Sequence, residues 1–246
     1  MFDTLVRRID GVLDRPGNAA LARATNAALS VAVRGALVAG SLVEGRTFWA
    51  QAALGRNQLA MHDVTRDGEI SIGGVSEQLY GEGFLAAWHQ VLGRELGDRL
   101  PEVLYEVGYR GAVWEVRQAI DRGVWVPRQL RPLVGRPEML ERAAHSRVYR
   151  ALVIESLRIL FRMIMTEGGW GRVTRIELDA AAAAVEVDNT PEPRRVARTG
   201  APCCHLMTGI YAAYFATIFG TEARAVESRC VAAGAPACRF DVSFGG

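Results

Sequence analysis

The chain has 246 residues, half of them hydrophobic and 23% charged, with a formal net charge of +2. That is enough for one large domain or two small ones, in a composition ordinary for a soluble globular protein. All 29 basic residues are Arg, yet no basic run or recognition motif accompanies them, which argues against a dedicated nucleic-acid surface. The N-terminus, Met1-Phe-Asp-Thr-Leu-Val-Arg-Arg8, lacks an apolar stretch followed by a small-residue cleavage site. The apolar runs 27–43 and 148–165 are interrupted, the first by Arg34 and the second by Arg150, Glu155, Arg158 and Arg162. These features predict a cytoplasmic protein with no membrane span, a setting that favours free or metal-bound thiols over disulfides.

Residues 3–56 read as helical. Leu5, Ile9 and Leu13 share one face, Asp14-Arg-Pro-Gly-Asn18 breaks the pattern, and 21–43 is Ala-rich with frequent apolar positions. Glu69-Ile-Ser-Ile-Gly-Gly74 alternates and ends in glycines, as a short strand does. A helix pair follows at 78–97 and 101–122. Residues 127–137 hold three prolines and form a connector, and Pro137 starts a long helix reaching about Thr166. After Gly168-Gly169 the period shifts towards two, and 173–178 with 184–188 reads as a hairpin around an alanine run. Residues 201–219 are apolar on nearly all sides, a buried helix closed by Gly220. Residues 224–230 and 238–244 read as a second strand pair, with Cys238, Phe240, Val242 and Phe244 on one face. The predicted fold class is α+β, with a helical N-terminal half and a C-terminal antiparallel four-stranded sheet packed with helices.

All four cysteines lie between 203 and 238. Zinc takes about four ligands from thiolate, imidazole and carboxylate. Cys230 and Cys238 flank a loop containing Gly234 and Pro236 that can bring the two sulfurs together, and Glu227 precedes Cys230 by three positions. In a flat strand those two side chains would point to opposite faces, so a site using both requires a bulge or a strand end at Ser228-Arg229. Cys204 would arrive from the start of the buried helix and staple it to the strand pair. Spacing alone leaves other readings open: buried core cysteines, a Cys230–Cys238 disulfide, or Cys203 or His205 as the fourth ligand.

The pattern Cys204, twenty-two residues, Glu227-x-x-Cys230, seven residues, Cys238-x-Phe240 resembles the vinyl-4-reductase domain. That domain occurs alone, in bacteriochlorophyll-synthesis proteins, and as the sensory part of bacterial regulators of aromatic catabolism. Val187-Asp-Asn-Thr190 is similar to a hydrophobic-x-Asn-Ser/Thr element that the family places on the strand before its first cysteine. Upstream, Gly68-Glu-Ile-Ser-Ile72, residues 84–97 and Leu104-Tyr-Glu-Val-Gly108-Tyr-Arg-Gly111 resemble the first half of the aromatic sensors. The resemblance implies the ligand-binding fold shared with Golgi-tethering subunits and haem-based nitric oxide sensors. It implies zinc on Cys204, Glu227, Cys230 and Cys238, a homodimer, and a division into a helical extension over 1–64 and a zinc-containing ligand-binding domain over 65–246. Two departures weaken a phenol assignment: Val187 stands where phenol sensors carry a strand tryptophan, and Glu155 lies near the position of their ligand-facing histidine.

No catalytic constellation stands out. There is no Gly-x-Gly-x-x-Gly turn, Walker loop or His-Glu-x-x-His, and His62, His89, His145 and His205 are widely separated. A Cys3Glu set is coordinatively closed, which favours a structural role. The expected function is therefore binding of a small apolar or aromatic molecule, in a pocket formed by Trp114, Phe161, Tyr211 and Phe215. The alternatives are a tetrapyrrole-synthesis protein, implied by the resemblance, and a dimeric interaction module.

Overall fold

The computed structural model describes residues 2–15, 17–43, 62–72, 75–77, 81–122, 134–195 and 200–245. The expectations made for 44–56, 73–74, 78–80 and 127–133 fall outside them.

Two helices come first, α1 (Phe2–Leu13) and α2 (Ala19–Val43). The break between them is closed by Asn18, whose Nδ2 donates to the Val12 carbonyl at 2.7 Å. Three short strands, β1 (His62–Val64), β2 (Ile70–Ile72) and β3 (Val75–Glu77), make a small antiparallel sheet in that order. Of these only β2 is foreshadowed by the sequence, because three-residue strands carry too little alternation to show. Helices α3 (Glu82–Leu96) and α4 (Leu100–Arg122) follow, joined by a 3-10 turn.

Apolar spacing predicts one long helix from Pro137, and the structure has two: α5 (Pro137–His145) and α6 (Arg147–Phe161). Ser146 between them is extended (φ −138°), and its Oγ accepts the Tyr149 N–H at 3.1 Å, capping the second helix. A five-residue π-helical turn, Arg162–Thr166, ends α6. The chain then builds β4 (Arg172–Leu178), β5 (Ala182–Asp188), the short helix α7 (Pro191–Arg195), α8 (His205–Phe219), β6 (Ala223–Arg229) and β7 (Cys238–Phe244). These four strands form an antiparallel sheet in the order β4-β5-β7-β6.

The sequence reading has the alanine run turn the β4–β5 hairpin. Instead Ala182, Ala183 and Ala184 are strand residues paired with Ser243, Val242 and Asp241. The turn is made by Asp179, whose Oδ1 accepts the N–H groups of Ala181 and Ala182, each at 2.8 Å. Pairing with β7 overrides alanine's weak strand preference.

Helix α8 lies between the sheet and α4, which is why it is apolar all round. Its contact with α4 is backbone against backbone. A Cβ on Gly108 would lie 2.2 Å from the Leu206 carbonyl oxygen, and one on Gly209 would lie 2.0 Å from that of Tyr105. The inner sheet face supplies Ile176, Leu178, Val185, Val187, Phe240 and Val242 to the core. The outer face carries an ion-pair ladder in which Arg239 bonds Glu177, Glu186 and Asp241.

Helices α1 and α2 pack on α6 through Val6, Leu13 and Val148. Asp10 Oδ1 accepts the Val148 N–H at 3.1 Å in the first turn of α6. Arg34 of α2 bonds the buried Glu155 carboxylate through Nε at 3.0 Å and Nη2 at 2.9 Å.

Candidate metal centre

Cys204 is the residue just before α8. Its N–H donates to Glu227 Oε2 at 2.8 Å, tying the helix start to β6. The β6–β7 register shifts between Glu227 and Arg229, the irregularity that the Glu227/Cys230 spacing demands. Cys230 follows in extended backbone, a 3-10 turn at Val231–Ala233 closes on Gly234 in the left-handed conformation (φ 93°), and Cys238 opens β7. The loop therefore returns the second sulfur to the first.

One ligand atom from each of Cys204, Glu227, Cys230 and Cys238 lies within 4.8 Å of all the others. Cys204 Sγ and Cys238 Sγ are 3.6 Å apart. A disulfide needs about 2.05 Å, whereas a tetrahedron with metal–sulfur bonds of about 2.3 Å has edges of about 3.8 Å. All four thiols of the chain are unbridged. Glu227 Oε1 is buried with no hydrogen-bond partner among the described residues, as a free ligand atom would be. The donor set and spacing fit a metal ion. Cys203 Sγ sits 3.9 Å from Cys230 Sγ, but neither it nor His205 joins the group in which every ligand atom meets every other.

The electrostatics of the cluster point the same way. Cys204 donates its S–H to the neighbouring sulfurs, which raises its own pKa. The same donation lowers Cys230 to about 4 and Cys238 to about 7. Burial pushes Glu227 up to about 9. Four acidic groups thus share protons in a space that one cation would fill, displacing those protons.

The surroundings contain residues that sequence reasoning passes over. Glu192, fully buried on α7, accepts the N–H groups of Leu206 at 3.2 Å and Met207 at 3.0 Å, capping the helix that begins after Cys204. His89 Nε2 of α3 lies 3.1 Å from the same carboxylate. In sequence Glu192 is one acidic residue between two prolines, and nothing there signals burial.

Of the aromatic side chains expected to form a pocket, Phe161, Tyr211 and Phe215 are brought together in the core. The Phe161 ring centroid lies 5.7 Å from Tyr211 and 5.8 Å from Phe215. Trp114 is 61% exposed on the outer side of α4. It lines a cavity of about 420 Å³ with Gly68, Glu69, Ile70, Ser76 and Glu77. It also lines one of about 300 Å³ along its own helix, with Tyr109 and Arg117. Glu115, next to Trp114, is pushed up to about 7 by burial and by nearby Glu77, and Tyr214 donates its hydroxyl to it.

Fold and cluster define an α+β domain in which a helix and a strand pair are joined at a Cys3Glu site. Residues 183–244, which include all four candidate ligands, match the family model of the vinyl-4-reductase domain. No curated protein matches the chain. Among solved structures, the phenol-responsive sensory domain of the transcription activator PoxR, solved with phenol, is similar at 19% identity and a TM-score of 0.51, over 76% of this chain and 86% of that one. This shows a shared fold. A vinyl-4-reductase family protein from Methanocaldococcus jannaschii aligns at 14% identity and a TM-score of 0.39, covering 69% of this chain and 85% of that one. A trafficking protein particle complex subunit 3 from Naegleria fowleri, covalently bound to palmitic acid, aligns at 14% and 0.39, covering 67% and 95%. No helix among the described residues is long and apolar enough to cross a membrane.

Proposed function

We propose that this protein is a zinc-stabilised small-molecule-binding domain that acts as a sensor or carrier. The observation that carries the reading is the convergence of Cys204, Glu227, Cys230 and Cys238 at the junction of α8 with the β6–β7 pair, inside the segment that matches the family model. Three thiolates and a carboxylate suit zinc, and a site with four protein ligands stabilises rather than catalyses. Its work is to hold α8 against the sheet, and α8 carries Tyr211 and Phe215.

The ligand class we assign is apolar or aromatic. Fold similarity to a domain solved with phenol supports it, as does an aromatic cluster whose outer neighbour, Trp114, faces open cavities. Phenol itself is not the ligand we assign, because Glu155 is buried and held by Arg34. We further propose a cytoplasmic homodimer, with α1 and α2 as an extension ahead of a body that begins at the β1–β3 sheet. The β1–β2 pairing ties residues 62–64 to that body.

Native mass spectrometry of the purified protein, set against its denatured mass, tests this. One zinc per chain plus a small organic mass is expected, on a species of twice the 26.8 kDa chain. A folded protein without metal would refute the zinc centre. Zinc without any bound or titratable aromatic ligand would refute the sensor reading.

A further inference from the structure

The Val187-Asp-Asn-Thr190 element has no part in ligating a metal, yet the structure sets it against the centre. Val187 pairs with Cys238 in the β5–β7 ladder. Asn189 then takes φ 59°, the one left-handed non-glycine conformation among the described residues. Thr190 follows, 1% exposed, with no partner for its Oγ1 at ordinary hydrogen-bond geometry. A buried hydroxyl without a partner is costly and calls for an acceptor. The group this hydroxyl acts on is Cys238. The same sulfur accepts the Val231 N–H at 3.5 Å. Two residues beyond Thr190, Glu192 caps the helix that follows Cys204 and is itself met by His89. One short segment therefore touches the strand ligand through Thr190 and the helix ligand through Glu192.

We propose that residues 189–192 are the outer support of the metal centre, with Thr190 donating its hydroxyl proton to the metal-bound Cys238 thiolate and Glu192 holding the helix that presents Cys204. A metal thiolate in a dry interior carries negative charge that O–H and N–H donors spread and orient, and outer donors of this kind are worth about 10–100-fold in metal affinity. Left-handed Asn189 makes the turn that delivers Thr190, so the Asn-Thr pair acts as a unit. Thr190 and Glu192 are positioning residues, and the assignment rests on the metal-centre reading above.

The test uses the full-length protein, made metal-free and titrated with Zn2+ against a chromophoric chelator, then with Co2+ to read the thiolate charge-transfer band. Thr190→Val replaces the hydroxyl by a methyl of the same shape. We expect it to bind Zn2+ about 10–100-fold more weakly and to shift the Co2+ band, while the metal-free protein melts at or above the wild-type temperature. Thr190→Ser, which keeps the donor, should return to within roughly threefold of wild type. Wild-type affinity and an unshifted band in Thr190→Val would overturn the assignment, as would Thr190→Ser binding as weakly as Thr190→Val. A folded wild-type protein that binds neither ion would overturn the metal centre, and this role for Thr190 with it.

Discussion

Cys238 is the residue on which the centre converges. It opens β7, lies 3.6 Å from Cys204 Sγ, and accepts the Val231 N–H. Cys238→Ala should abolish stoichiometric zinc and lower the unfolding free energy by roughly 3 kcal/mol or more, since site assembly and folding are one process. Metal analysis with chemical denaturation would show this, and unchanged metal content would refute it. The pH dependence has two opposite limbs. Metal binding requires deprotonated thiols, so zinc affinity rises with pH. Without metal, Glu227 has a folded pKa of about 9, above its ordinary 4.5. A raised carboxyl stabilises below its unfolded pKa and loses that contribution as pH rises towards 9. Glu115, raised to about 7, behaves likewise over a narrower window and away from the sulfurs. Melting curves from pH 4 to 8 should show stability falling through that window by up to about 3 kcal/mol. Glu115→Gln should flatten this limb, and a limb that persists in the variant would refute the assignment.

At the scale of elements, the contact between α4 and α8 decides the fold's tolerance. Gly108 and Gly209 let the two backbones touch, and a Cβ at Gly209 would lie 2.8 Å from the Tyr109 nitrogen as well as 2.0 Å from the Tyr105 oxygen. Backbone cannot move aside as a side-chain tip can. Gly209→Ala should therefore destabilise by roughly 2–3 kcal/mol through forced separation of the helices. A denaturation midpoint at or above wild type would contradict this, since alanine is otherwise the better helix former. The division of the expected long helix into α5 and α6 belongs to the same scale. Apolar spacing runs through the break, and the one local mark is Ser146 acting as an N-cap. A lone serine inside a periodic stretch reads as a tolerated helical residue until its backbone is seen to be extended.

In the whole molecule, α1 and α2 cover α6. Asp10 caps it, Val6 and Leu13 pack on Val148, and Arg34 neutralises buried Glu155. Removing residues 2–43 would uncover Val148 and strand a carboxylate without its main counter-charge. The truncated chain should keep one zinc per chain, because its ligands all lie between 204 and 238, yet melt well below the full-length protein. Loss of zinc together with the helices would show that the extension is part of the domain rather than an addition to it.

The four candidate ligands were legible because they lie within 35 residues of one another and are chemically rare. The kink at Ser228-Arg229 was legible because a two-residue period cannot put Glu227 and Cys230 on one face of a flat strand. The buried helix and its Gly220 cap followed from composition and the left-handed preference of glycine. The alanine strand was not legible, because three alanines take whichever conformation their neighbours impose, and here the neighbour is the distant strand β7. The exposure of Trp114 on α4 was hidden for a related reason: a helix with apolar residues on both faces does not say which face meets the core. The roles of Thr190, Glu192 and His89 were decided by tertiary structure alone. A polar side chain acquires its partner only when distant segments close around it, and no local pattern records that closure.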